Sequence, residues 1–99
     1  MTRHAGKRDA NHAAIRDQLR AVPGMWVLDT GGMAGLGCDL IVRWQYNPPL
    51  FVEIKDGPGA KLTESERKMK DRMGDYWIRA ERFEDVLAAC GLDNERAPF

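Results

Sequence analysis

Hydrophobic positions change period along the chain, and each change marks an element. Between residues 9 and 22, Ile15, Leu19 and Val22 recur at the spacing of one helix face, and Pro23-Gly24 ends the run. Asp9 stands where a carboxylate would cap the first exposed N–H groups of that helix. His12 falls on its apolar face, which favours a partly buried side chain over a ligand. Met25 to Asp29 reads as a short strand, and Thr30 to Gly37 as a loop carrying four glycines. Cys38 to Tyr46 is a second strand, closed by the Asn47-Pro48-Pro49 turn. Leu50 to Lys55 alternates: Leu50, Val52 and Ile54 share one face, and Phe51, Glu53 and Lys55 share the other. Asp56-Gly57-Pro58-Gly59 breaks this third strand.

Thr63 to Arg72 is a second helix. Thr63-Glu64-Ser65-Glu66 fits a capping box, with Thr63 as N-cap and Glu66 at the third helical position. Met69 and Met73 supply apolar positions, and Gly74 is the stop. Tyr76 to Arg79 is a fourth strand. Phe83 to Cys90 is a last helix stopped by Gly91, with Phe83, Val86, Leu87 and Cys90 inward. The order α-β-β-β-α-β-α, with a meander and then a crossover, predicts an α/β fold: a mixed four-stranded sheet flanked by helices.

With 99 residues the chain suits one domain and one modest core. Residues 1–8 read as a flexible basic arm and residues 91–99 as a loose acidic tail. Hydrophobic residues at 43% and charged residues at 30% exclude the apolar-poor composition of disordered chains. No apolar run approaches the ~20 residues of a membrane span, and the first residues lack the apolar core of a signal peptide. Two cysteines, Cys38 and Cys90, make no disulfide scaffold. The expectation is a cytoplasmic protein with no membrane partner.

Charge is balanced at 15 basic against 15 acidic residues, so no global field points to nucleic acid. The distribution is uneven: basic residues gather near the N-terminus and between Lys61 and Arg72, and acidic ones after Glu81. Ordinary solvated helix faces would show the same pattern.

Three polar residues carry candidate chemistry: Asp39 in the second strand, and Glu53 and Lys55 on one face of the third. A hairpin between these strands brings Asp39 near Glu53. Two close carboxylates repel, and a divalent cation relieves that repulsion. Magnesium takes hard oxygen ligands, so Asp39 and Glu53, with a backbone carbonyl such as that of Ile54, form a candidate site. Lys55 would then stand beside the attacking water and the growing phosphoryl charge. A strand with a charged outer face would show the same Glu-Ile-Lys.

The combination of Asp39-Leu40-Ile41-Val42, Phe51-Val52-Glu53-Ile54-Lys55-Asp56-Gly57 and Leu62-Thr63-Glu64-Ser65-Glu66 resembles the PD-(D/E)XK nuclease superfamily. Within it, the chain is most similar to small stand-alone VRR-NUC-type and phage Holliday junction resolvase-like members. Arg8-Asp9-Ala10-Asn11 and the glycine loop add to the likeness, which spans residues 8–90. The resemblance implies a restriction-endonuclease-like core and Mg²⁺- or Mn²⁺-dependent cleavage of DNA. It implies Asp39 and Glu53 as metal-binding carboxylates and Lys55 as catalytic lysine. Two positions depart from the pattern. Cys38 stands where relatives carry proline, and His12 where many carry a metal-assisting glutamate. The second departure favours a one-metal or slow enzyme, although a histidine there could still reach a metal or a water.

Lys61, Lys68 and Arg72 form a stripe that could contact DNA phosphates, giving affinity without base readout. Glu64 and Lys68 also form a favourable i,i+4 pair. The expected substrate is duplex or branched DNA chosen by structure. Paired cuts in a junction need two sites, hence a homodimer, for which Met33, Leu36, Trp44, Tyr46 and Trp77 offer either an apolar patch or core filling. The rivals are a nuclease-fold DNA-binding module without activity, and a protein-interaction subunit whose carboxylates are surface charge.

Overall fold

The computed structural model describes residues 3–57 and 59–92. Helix α1 spans Arg3–Arg20, and strands β1 (Met25–Asp29), β2 (Leu40–Trp44) and β3 (Leu50–Ile54) follow it. Helix α2 (Glu64–Met73), a 3₁₀ turn at Gly74–Tyr76, strand β4 (Trp77–Ala80) and helix α3 (Phe83–Ala89) complete the chain. Elements thus occur in the order expected from the hydrophobic pattern. The main difference is at the start. The helix begins at Arg3, so residues 3–8 belong to it rather than to a loose arm, and Asp9 lies inside it rather than at its first turn. Of the expected acidic tail, residues 93–99 lie outside the described residues. Leu92 is buried and joins the core.

The sheet runs β1-β2-β3-β4, with β1/β2 and β2/β3 antiparallel and β3/β4 parallel. The parallel pair requires a crossover, and α2 supplies it. Alternation along the strands sorts the two faces. Leu40, Val42 and Trp44 from β2, and Val52 and Ile54 from β3, pack with Ile15 and Leu19 of α1, Val22 in the turn after it, and Val86 and Leu87 of α3. The other face meets α2, whose Lys70 ammonium lies 5.9 Å from the Trp77 ring. Trp44 and Trp77 are both buried, so they fill the interior rather than an exposed patch. Met33 and Tyr46 are exposed, as are Trp26 and Leu28 on the edge strand β1.

Docking of α2 depends on one glycine. Gly37 has φ +100°, and a Cβ there would lie 2.5 Å from the Ser65 carbonyl oxygen and 2.9 Å from Cβ of Met69. Its own carbonyl accepts the Trp77 indole N–H at 3.0 Å. Only a residue without a side chain lets the loop lie this close to the helix. Among the described residues, no helix is long and apolar enough to cross a membrane.

Candidate active site

The β2/β3 register pairs Leu40 with Val52. Carried one step further, it sets Asp39 opposite Glu53. The backbone N–H of Asp39 donates to the Val52 carbonyl at 2.8 Å, and its carbonyl accepts from Thr30 N–H at 2.9 Å. Thr30 Oγ1 donates to the Cys38 carbonyl at 2.9 Å. Asp39 is therefore fixed at the point where the loop enters the sheet. Its Oδ2 accepts the Ile54 N–H at 2.9 Å, and its Oδ1 faces Nδ1 of His12 at 3.9 Å.

Asp39 and Glu53 are 4% and 3% exposed, which overturns the reading of a charged outer strand face. Both line a cavity of about 270 Å³ bounded by the glycine loop, Thr63, Ser65 and Glu66. A second cavity of about 270 Å³, lined by Asn11, Lys55 and Asp56, shares Glu53, Thr63 and Glu66 with the first. Lys55 Nζ lies 2.9 Å from Glu66 Oε1 and 3.5 Å from Glu53 Oε2.

Glu66 serves two purposes. Its Oε1 accepts the Thr63 N–H at 2.8 Å while Thr63 Oγ1 accepts the Glu66 N–H at 3.2 Å, so the predicted capping box is present. The same oxygen holds the lysine ammonium. Helix initiation and lysine placement thus depend on one carboxylate.

These contacts set the protonation pattern. Burial, a hydrogen bond with Glu66 and the Asp39 charge push the Glu53 carboxyl well above the carboxylate range, against the pull of Lys55. Burial also acts against ionised Glu66. It is outweighed there by hydrogen bonds from Glu53, Lys55 and the Thr63 N–H, which hold its carboxyl below the usual value. Lys55 loses by burial and gains more from Glu66 and Glu53, so its ammonium is favoured. The directions are thus opposite for the two glutamates, with the proton favoured on Glu53, the charge favoured on Glu66, and the ammonium favoured on Lys55.

His12 is 4% exposed, in agreement with its apolar helix face. Its Nε2 lies 2.9 Å from Asp29 Oδ1. Asp29 Oδ1 also accepts the Gly31 N–H at 2.9 Å, and Oδ2 accepts from Arg16 Nη1 at 2.9 Å. The sequence pattern does not single out Asp29 and Arg16. Their only signal is an aspartate ending a strand just before a glycine-rich loop.

The expected phosphate-contact residues separate into two groups. Lys68 and Arg72 line a groove of about 410 Å³ between α2 and the glycine loop, which shares Gly35 and Ser65 with the carboxylate cavity. Lys61 is exposed but is not part of that lining. Lys68 Nζ lies 3.7 Å from Glu64 Oε2, the i,i+4 pair expected from the sequence.

Asp39 and Glu53 supply the hard oxygen donors that a magnesium or manganese ion takes. His12 Nδ1 is buried without a hydrogen-bond partner among the described residues. Asp39 Oδ1 and the Glu53 carboxylate are the oxygens that could hold such a cation. Among the described residues, no group of three or more His, Cys, Asp or Glu side chains is already assembled to hold a metal ion. Comparison of the chain with protein-family models, curated proteins and solved structures finds no match.

Proposed function

We propose that this chain is a metal-dependent endonuclease of the PD-(D/E)XK type. It hydrolyses DNA phosphodiester bonds and selects branched or junction DNA by structure rather than by base sequence. The observation that carries the reading is the burial of Asp39 and Glu53 against one cavity, with the Lys55 ammonium held beside Glu53 by Glu66. A domain rarely buries two acids beside a half-buried lysine without a task for them.

In this reading Asp39 and Glu53 would hold Mg²⁺ or Mn²⁺, which would supply a Lewis acid for water and the phosphoryl oxygen. Asp39 offers Oδ1, because Oδ2 is committed to the Ile54 N–H. Glu53 gives up its proton to take part. Lys55 places positive charge where the phosphoryl group gains negative charge, and Glu66 keeps that ammonium aimed before substrate arrives. Lys68 and Arg72 hold the DNA backbone along the adjoining groove. One such site cuts one strand, so paired cuts call for a homodimer. The compartment is the cytoplasm, where the thiols of Cys38 and Cys90 stay reduced.

A second reading is a DNA-binding module of the same fold with little or no activity. It is favoured by the lack of a ready three-ligand metal cage among the described residues. One experiment separates the two. Labelled four-way junction, nicked duplex and plain duplex are incubated with Mg²⁺, Mn²⁺ or EDTA. The nuclease reading expects metal-dependent cuts, lost in Glu53→Gln and Lys55→Ala while both variants remain folded. Binding without cleavage in every condition establishes the module instead.

A further inference from the structure

Met25 and Val27 of β1 pack against the core beneath α1 and α3, so alternation puts Trp26 and Leu28 on the opposite face of the sheet. The register sets Trp26 beside Arg43 and Leu28 beside Ile41 on that face. Helix α2 packs over the same face at β4. At the other edge Trp26 and Leu28 are left 54% and 39% exposed, and Arg43 is exposed with them. Half of this sheet face is therefore open, and its outer positions on β1 and β2 carry no acidic residue.

Arg43 stands between two aromatic residues. Its guanidinium lies 5.9 Å from the centre of the Tyr46 ring, and Trp26 is its partner across the strands. Arg43 Nε donates to the Asn47 carbonyl at 3.1 Å, which holds the group and leaves both Nη atoms without a hydrogen-bond partner among the described residues. Arg16, Lys55, Lys68 and Arg79 are each paired with a carboxylate, whereas Arg43 is paired with none among the described residues. Tyr46 is 93% exposed and follows Gln45, the one non-glycine residue with positive φ (52°) among the described residues. The Asn47 N–H closes this turn on the Trp44 carbonyl at 3.0 Å. A strained turn that shows its aromatic ring to solvent gains nothing from burying it.

We propose that the open face of β1 and β2 binds single-stranded nucleic acid, with bases stacked on Trp26 and Tyr46 and a phosphate on the Arg43 guanidinium. Every base has a face to stack on an aromatic ring, and an arginine among such rings tracks the backbone. The charge favours this occupant over a second copy of the chain. A copy brings another Arg43 and no acid from the same face, whereas a nucleic-acid strand brings phosphate. Arg43 lies four residues from Asp39, roughly 13 Å at strand spacing, or about four stacked nucleotides. An unpaired arm of a branched substrate held here lies within reach of the carboxylate cavity.

The test uses the full chain in EDTA, with a short labelled oligodeoxythymidylate followed by anisotropy and by tryptophan emission. Of the three tryptophans, Trp44 and Trp77 are buried, so quenching on binding reports Trp26. The wild type should bind with quenching. Trp26→Ala and Tyr46→Ala should each weaken binding by about 5–100-fold. Trp26→Phe and Tyr46→Phe, which keep a ring, should retain most of it, and Trp26→Phe should lose the quench. Arg43→Ala should lower the salt slope by about 0.7. Wild-type affinity and slope in all three alanine variants overturn the proposal, as does a wild type that does not bind. A dimer in sedimentation that Trp26→Ala disperses, in a chain that does not bind the oligonucleotide, gives the face to a second copy instead. No metal or cleavage enters these measurements, so their failure leaves the nuclease reading standing.

Discussion

The Asp39 carboxylate accepts the backbone N–H of Ile54 at 2.9 Å, so a residue proposed to bind metal also ties the entry of β2 to the end of β3. Its two oxygens divide the work, Oδ2 on the backbone and Oδ1 toward His12 Nδ1. Removing the side chain leaves a buried N–H without a partner. Asp39→Ala should lose about 1–3 kcal/mol of stability, whereas Asp39→Asn keeps an acceptor and should stay within about 1 kcal/mol of the wild type. Urea denaturation of the metal-free proteins measures both. Equal stabilities for the two variants would remove the structural half of this account.

Asp29 predicts an acid limb. Burial opposes its charge, but the Gly31 N–H, Arg16 and His12 hold its carboxyl at about 2 in the folded chain, against the ordinary 3.8. A folded value below the unfolded one stabilises the fold above pH ~4, and that contribution is lost as pH falls through about 2. With partial solvent screening it amounts to about 1 kcal/mol. Asp29→Asn should therefore flatten the stability profile in this window, measured by denaturant midpoints at successive pH values. A profile parallel to the wild type would show that the network does not favour the ionised form.

Gly37 and Gly57 form a matched pair, with φ of +100° and +107°. A Cβ at Gly37 meets the Ser65 carbonyl, while one at Gly57 meets nothing within 4 Å. Gly57→Ala should cost only backbone strain, about 1 kcal/mol. Gly37→Ala should cost about 2–4 kcal/mol, because α2 must also shift. Since α2 carries Glu66, the Gly37 variant should also lose the proposed nuclease activity in excess of its loss of folded protein.

Lys68 and Arg72 share a groove wall that Lys61 does not. Binding of labelled duplex in EDTA, followed by anisotropy over a range of KCl, should weaken in Lys68→Ala and in Arg72→Ala. Each should lower the salt slope by about 1. Lys61→Ala should change it less. Equal slopes for all three variants would move the DNA path away from the groove.

Much of the site was readable from local pattern. Period-two alternation put Glu53 and Lys55 on one face of β3, and the capping box located the start of α2 at Thr63. The start of α1 is not legible in the sequence, because Arg3 to Asn11 carries no apolar stripe; the helix nonetheless begins at Arg3. Trp44 and Trp77 were ambiguous, because a tryptophan on a small domain suits either a core or an interface.

The sequence alone determined the order of elements, the faces of the strands and the identity of the acids and the lysine, because these follow from periodicity and turn chemistry over a few residues. Only the tertiary structure decided that Glu53 is buried, that Glu66 both caps α2 and holds Lys55, and that Asp29 and Arg16 stand behind His12. Those facts depend on contacts between residues far apart in the chain, such as His12 with Asp29 and Lys55 with Glu66. Their energies come from desolvation and from charges brought together, which no local pattern records.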